Sequence, residues 1–321
     1  MTIFLWMGFL ILILFLLFLD LGVFNKTDHV MKTKEALGWT ALWIVVSLIF
    51  NVFIYFAYEH HLFGIGKELG HLMNGKEAAL KYFTGYIIEK SLSLDNIFVI
   101  AVIFSYFNIP TLYQHRVLFW GIVGALIMRG VMIFAGVALI EKFEWMIFVF
   151  GGLLIITAIK MLLSKDENVH PNKNFLVRQV KKLYPVTDHF EGHNFFAKIN
   201  NKPAVTPLFI ALIVIESSDV LFAVDSIPAI FAVTTDPFIV FTSNVFAILG
   251  LRSLYFALAA MIEKFIYLKI SIVFVLIYVG IKMILSHSYP ISTGYSLGVI
   301  LLILILGVSA SMIKSGKSTR K

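Results

Sequence analysis

Long apolar runs broken by short polar stretches dominate this chain. The runs have the length a helix needs to cross a bilayer, about 20 residues. They cover 2–23, 38–58, 82–106, 116–139, 145–163, 205–232, 238–261, 268–285 and 293–313. The pattern predicts an all-α fold, a polytopic transmembrane helical bundle of about nine spans. An odd number of spans puts the two termini on opposite sides of the membrane. Residues 1–23 have no basic start and no small-residue cleavage site, and the run ends in Leu19-Asp20-Leu21-Gly22. It therefore reads as a retained first span rather than a signal peptide.

The pattern also repeats. Ile140-Glu-Lys-Phe143 recurs as Ile262-Glu-Lys-Phe265, and Ile159-Lys-Met-Leu-Leu-Ser164 as Ile281-Lys-Met-Ile-Leu-Ser286, both 122 residues on. Upstream, Asp95-Asn96 aligns with Asp225-Ser226 at an offset of 130, which also sets Glu89 opposite Asp219. Each unit would hold three spans, so the second enters the membrane in the opposite direction. Such inverted repeats are a mark of secondary transporters. The chain then divides into two N-terminal spans (1–81), repeat 1 (82–164), a connector (165–204), repeat 2 (205–286) and a last span with its tail (287–321), all within a single transporter domain, 1–321. In the connector, Phe175, Leu176, Val180 and Leu183 are spaced for an amphipathic helix, with Arg178, Lys181 and Lys182 turned towards water or lipid headgroups.

Composition agrees with a membrane protein: 60% of the 321 residues are hydrophobic and 14% charged, and the mean hydropathy is +0.91. Soluble domains are nearer a quarter charged. A pI near 9.3 would suggest a nucleic-acid partner in a soluble protein. Here the basic residues sit mostly in loops, so the expected partner is the lipid bilayer and no nucleic acid. Seventeen of the 26 Lys and Arg fall on the side of the first connection, four on the other and five inside spans. The positive-inside rule then puts the N-terminus outside and the C-terminus in the cytoplasm. Cysteine is absent, which removes disulfides, thiol catalysis and thiolate metal sites.

Against this background the acids stand out. Glu89 and Asp95 lie in one span and Glu216, Asp219 and Asp225 in another. A charge at membrane depth costs roughly 2.5–3.5 kcal/mol even on lenient scales, so five acids in two spans point to an ion pathway or binding site. Asp95 and Asp225 each follow their partner acid by six residues, about 9 Å along a helix and about 120° around it. Either the helices unwind there, as Pro228 suggests for the second copy, or the acids form two neighbouring sites. Asn96, Ser226 and Asp20, near the end of the first span, complete the candidate set. Carboxylate, amide and hydroxyl oxygens without histidine suit Mg²⁺, Ca²⁺ or Mn²⁺. Arg129 and Arg252, deep in their spans, would pair with some of the acids. Two weaker clusters are Glu59, His60, His61 and His71 on the outer face, and Asp188, His189, Glu191 and His193 in the connector. There is no nucleotide loop, nucleophile elbow or organic-cofactor motif, so an enzyme is not expected.

At three places the sequence resembles the TerC family of integral membrane proteins, close to its Alx-type branch: Phe18-Leu-Asp-Leu-Gly-Val-Phe24, Glu89-Lys-Ser-Leu-Ser-Leu-Asp-Asn96 and Ile215-Glu-Ser-Ser-Asp-Val-Leu-Phe-Ala-Val-Asp-Ser-Ile-Pro-Ala-Ile230. Tyr184-Pro-Val-Thr-Asp188 resembles the family too. The resemblance implies a bacterial inner-membrane protein connected with tellurite resistance or manganese export. It also implies that Glu89, Asp95, Glu216, Asp219 and Asp225 handle the metal. The expected function is a secondary transporter exporting divalent cations, Mn²⁺ first, with protons as the counter-ion. The alternatives are a membrane assembly or stress-response factor whose acids are structural, and an exchanger of another cation such as Ca²⁺.

Overall fold

A computed structural model describes residues 2–22, 32–66, 73–163, 174–199, 201–259, 267–286, 288–289 and 291–318. Each predicted apolar run is helical over most of its described residues, with non-helical residues at some ends and at Gly250. The helices are α1 (Thr2–Gly22), α2 (Thr33–Glu59), α3 (Gly75–Tyr106), α4 (Thr111–Lys142) and α5 (Met146–Leu163), then α6 (Phe175–Leu183) in the connector. They continue with α7 (Pro207–Phe231), α8 (Pro237–Leu249), α9 (Leu251–Ala259), α10 (Leu268–Leu285) and α11 (Thr293–Ser318). The all-α expectation needs one amendment. The connector also forms an antiparallel hairpin, β1 (Phe196–Ile199) with β2 (Lys202–Val205), in the register Phe196 to Val205 and Ile199 to Lys202.

Local chemistry sets the helix starts. Asn74, Asn174 and Asp236 lie just outside α3, α6 and α8, and their side-chain oxygens accept from first-turn amides. These are the donors a helix cannot satisfy itself. Pro207 and Pro237 open α7 and α8, where a missing N–H is harmless.

Among the described residues six helices are long and apolar enough to cross a membrane: α2, α4, α5, α7, α10 and α11. A seventh span results if α8 and α9, bent by 40° around Gly250, cross as one. The run predicted as a single span at 238–261 is therefore broken. The apolar part of α1 is shorter, Ile3–Leu19. The 32-residue α3 has the length, yet it carries Lys76, Glu77, Lys81, Glu89, Lys90 and Asp95.

The starts of α2, α4 and α7, the end of α3, and α6 and α9 meet in one apolar cluster that includes Ala36, Val117, Leu208, Phe104, Val177 and Tyr255. The connector covers this end. A larger cluster fills the middle and the opposite end, with aromatic contacts such as Phe50 to Phe246 (4.6 Å) and Trp6 to Phe238 (5.1 Å). Within the bundle α3 packs on α8, α4 on α7, α3 on α7, and α5 on α10. The last pair is close: a β-carbon on Gly280 would lie 2.9 Å from the Gly151 carbonyl oxygen, and one on Gly151 would lie 3.0 Å from that of Gly280. Small residues permit such backbone approach between membrane helices.

Candidate functional site

Between α3, α4, α5, α7 and α10 lies a cavity of about 250 Å³. Three carboxylates line it, Glu89, Asp95 and Asp225, together with Asn96, Thr157 and Ser226. Three cations line it as well: Arg129, Lys160 and Lys269. Thr157, Lys160 and Met161 come from the end of α5, and Lys269 and Ile272 from the start of α10. Phe222, Asp225 and Ser226 come from the second half of α7, whose start is at the connector end, so the cavity lies within the bundle. A smaller void beside it adds Asp219, Ser218 and Gly121.

Arg129, on α4, is 2% exposed and organises one wall. Its Nε and Nη2 donate to the two oxygens of Asp219 at 3.1 and 3.0 Å, a bidentate fork. Its Nη1 forms an ion pair with Glu89 Oε1 and reaches Asn244 Oδ1 at 3.0 Å and Ser226 Oγ at 3.2 Å. Glu89, fully buried, also accepts from Asn244 Nδ2 at 3.2 Å and from Ser93 Oγ at 3.3 Å. Asn96 Nδ2 donates to Asp219 at 3.1 Å. A buried ion pair tolerates desolvation only when its remaining donors and acceptors are also met, and this network meets them.

Asp95 and Asp225 look into the cavity from the other side of their helices. Asp225 accepts from Thr157 Oγ1 at 2.8 Å, and the Lys160 ammonium is near enough to act on it electrostatically. Asn96, 5% exposed, leaves its amide oxygen Oδ1 buried without a hydrogen bond. Buried polar atoms are nearly always partnered, so an acceptor left over beside two carboxylates is what a cation site would show. The oxygens of Asp95, Asp225, Asn96 and Thr157 could hold a hard divalent ion.

Glu216 is elsewhere. Its carboxylate packs directly on Gly124 of α4, where any β-carbon would overlap it. Asp20 falls on α1, but its side chain lies outside the described residues. The five acids thus occupy three environments: Glu89 with Asp219 on Arg129, Asp95 with Asp225 along the cavity, and Glu216 against Gly124, within electrostatic reach of Asp219. Among the described residues no three His, Cys, Asp or Glu side chains are grouped to hold a metal. That includes the connector, where His189 pairs with Glu191 at 3.4 Å. His71 of the outer cluster lies outside the described residues, and Glu59 there accepts from the Gly75 amide at 2.8 Å.

The helices do not unwind at the aspartates, and the acids six residues apart fall into separate groups. α7 is continuous through Asp225 and Pro228. Proline's fixed φ is compatible with a helix, and Pro228 lies one turn from the end, so it removes only the donor for the Val224 carbonyl. The break falls instead at Gly250, where Lys90 Nζ donates to the freed Ala247 carbonyl at 3.1 Å. Lone polar residues in apolar runs, Thr157 and Asn244, belong to the site although they look like ordinary interhelical contacts. Lys160 and Lys269 sit near helix ends, where a basic side chain would be expected to reach water.

The profile of the integral membrane protein TerC family matches residues 74–319. An uncharacterised membrane protein of Myxococcus xanthus is 50% identical over 311 residues, covering 97% of this chain and 92% of that one. The protein named "Putative membrane-bound redox modulator Alx" in Escherichia coli K12 is 43% identical over 303 residues, covering 94% and 92%. Its Salmonella typhi namesake is 44% identical over 304 residues, covering 94% and 92%. No solved structure matches the chain. Motifs, helical bundle and relatives agree, and the chain belongs to the TerC family of integral membrane proteins.

Proposed function

We propose that this multi-pass membrane protein is a secondary transporter that exports divalent cations, Mn²⁺ first, by alternating access, and is not an enzyme. The observation that carries the reading is the cavity lined by Asp95, Asp225, Thr157 and Asn96, the last with its buried amide oxygen lacking a hydrogen bond. An oxygen-only set suits Mn²⁺, Mg²⁺ and Ca²⁺ over zinc or copper. Two carboxylates with neutral oxygens form an open set, suited to an ion that must also leave. Lys160 and Lys269 would act as internal counter-charges that take the carboxylates when the ion departs.

We read the architecture as nine spans with two inverted repeats, α3–α5 and α7–α10. Two things support this. Each acid keeps company with its counterpart in the other repeat: Glu89 and Asp219 share Arg129, and Asp95 and Asp225 share the cavity. The packing is reciprocal too, α3 on α8 and α4 on α7. The proposed location is the bacterial inner membrane, with the N-terminus outside and the connector and C-terminus cytoplasmic.

The test is uptake of radioactive Mn²⁺ into inverted vesicles. Wild-type protein should accumulate the ion, and Asp95→Asn and Asp225→Asn should abolish it. No metal-dependent flux, or equal flux from all three proteins, overturns the reading. Replacing Mn²⁺ with Ca²⁺ or Mg²⁺, and imposing or collapsing a pH gradient, would identify the cation and the counter-ion.

One observation favours a second reading, a membrane assembly or stress-response factor with structural acids: three cations face three carboxylates across the cavity. On that reading the neutralised variants lose stability but keep any resistance phenotype. The relatives' name suggests redox modulation. This chain has no cysteine, so such a role would not run through thiol–disulfide exchange in the chain itself.

A further inference from the structure

α6 has an apolar arc wider than its contact with the bundle. At about 100° per residue, the wheel places Val177 and Val180 on one side of that arc and Phe175, Leu176 and Leu183 on the other. Val177 is fully buried, and both valines join the cluster at the ends of α3, α4 and α7. Among the described residues nothing covers the other side: Phe175 is 62%, Leu176 49% and Leu183 75% exposed, and the adjoining Tyr184 43%. Half-buried Gln179 is the one polar residue within it. Arg178, Lys181 and Lys182 complete the circle and are exposed. Nearby, Phe196 of the hairpin, 63% exposed, packs at a tilt on Phe209 in the first turn of α7, at 4.9 Å between ring centres. α6 itself packs on α7, a helix long and apolar enough to span a membrane.

We propose that Phe175, Leu176, Leu183 and Tyr184 dock the connector into the bilayer interface, with Arg178, Lys181 and Lys182 on the headgroups of anionic lipids. The occupant follows from charge and place. A short helix with an apolar face flanked by cations is the form that lies in a membrane surface, and clustered basic residues beside spanning helices are drawn to anionic headgroups. This is independent of which ion the bundle carries.

The absence of native cysteine makes the test clean. Single-cysteine variants L176C and L183C, with K181C and D188C for comparison, carry a bimane label in the full-length protein. Each is reconstituted in bilayers of phosphatidylcholine alone or with phosphatidylglycerol. The expected result is a blue shift and loss of iodide quenching at 176 and 183 when phosphatidylglycerol is present, with 181 and 188 still quenched. Adding R178Q, K181Q and K182Q to L183C should restore quenching at 183. Three outcomes would overturn the proposal: full quenching at 176 and 183 in both bilayers; protection that does not depend on the anionic lipid or on the basic residues; and equal protection in detergent, which would mean that a second copy of the chain covers the face.

Discussion

Arg129 carries more of the architecture than any acid around it, because Glu89 is wholly buried and Asp219 mostly so. Removing a buried pair's partner costs about 3–5 kcal/mol, since it strands a charge. Arg129→Met should therefore lower thermal stability in detergent by that order. Arg129→Lys should recover part of it, because an ammonium keeps the charge and loses the fork on Asp219. Gly124 tests Glu216 separately. Gly124→Ala would force its carboxylate to move. If Glu216 contributes to ion passage, Mn²⁺ flux should fall while expression and unfolding temperature stay near wild type.

At the scale of elements, two contacts decide how the bundle holds. Asp236 caps α8 through Oδ1, accepting from the Phe238 and Ile239 amides, while Oδ2 accepts from Tyr58 of α2 at 2.8 Å. Asp236→Ala should cost about 1 kcal/mol for the cap and about 1.5–3 kcal/mol for the lost hydrogen bond from the Tyr58 hydroxyl to a carboxylate. A double-mutant cycle with Tyr58→Phe separates the two in chemical denaturation. The other contact is α5 on α10. Gly280→Val places a branched side chain where even a β-carbon is tight, and such overpacking typically costs about 1–3 kcal/mol. Reduced yield with restoration by no conservative change at Ile284 alone would identify backbone crowding as the cause. The helices themselves were legible in the apolar runs, to within a few residues at most ends. The break at Gly250 was not, because 238–261 reads as one span and glycine occurs inside many intact helices. Pro228 advertised a break that α7 does not make.

Across the whole molecule, alternating access predicts that the cavity opens to one side of the membrane at a time. In alternating access, Mn²⁺ and a pH gradient should change how far a water-soluble thiol reagent penetrates to a unique cysteine at Leu276, which lines the cavity. Modification from the connector side should slow on Mn²⁺ addition, and the opposite side should gain access in turn. A cysteine modified at one unchanging rate from one side only would fit a static structural role.

The sequence by itself determined the membrane class, the helical runs, the amphipathic connector helix and the correspondence of Glu89 with Asp219 and of Asp95 with Asp225. Those follow from hydrophobic length, periodicity and internal similarity, which are properties of the chain read locally. Tertiary structure alone decided that Glu89 and Asp219 are held by one arginine and that Glu216 stands apart on Gly124. It also decided that Lys160 and Lys269, at helix ends in sequence, turn into the cavity with Asp95 and Asp225. The partner of a buried charge is chosen by which helix faces pack together, and a polar residue inside an apolar run has the same appearance whether it touches a neighbouring helix, a lysine or an ion.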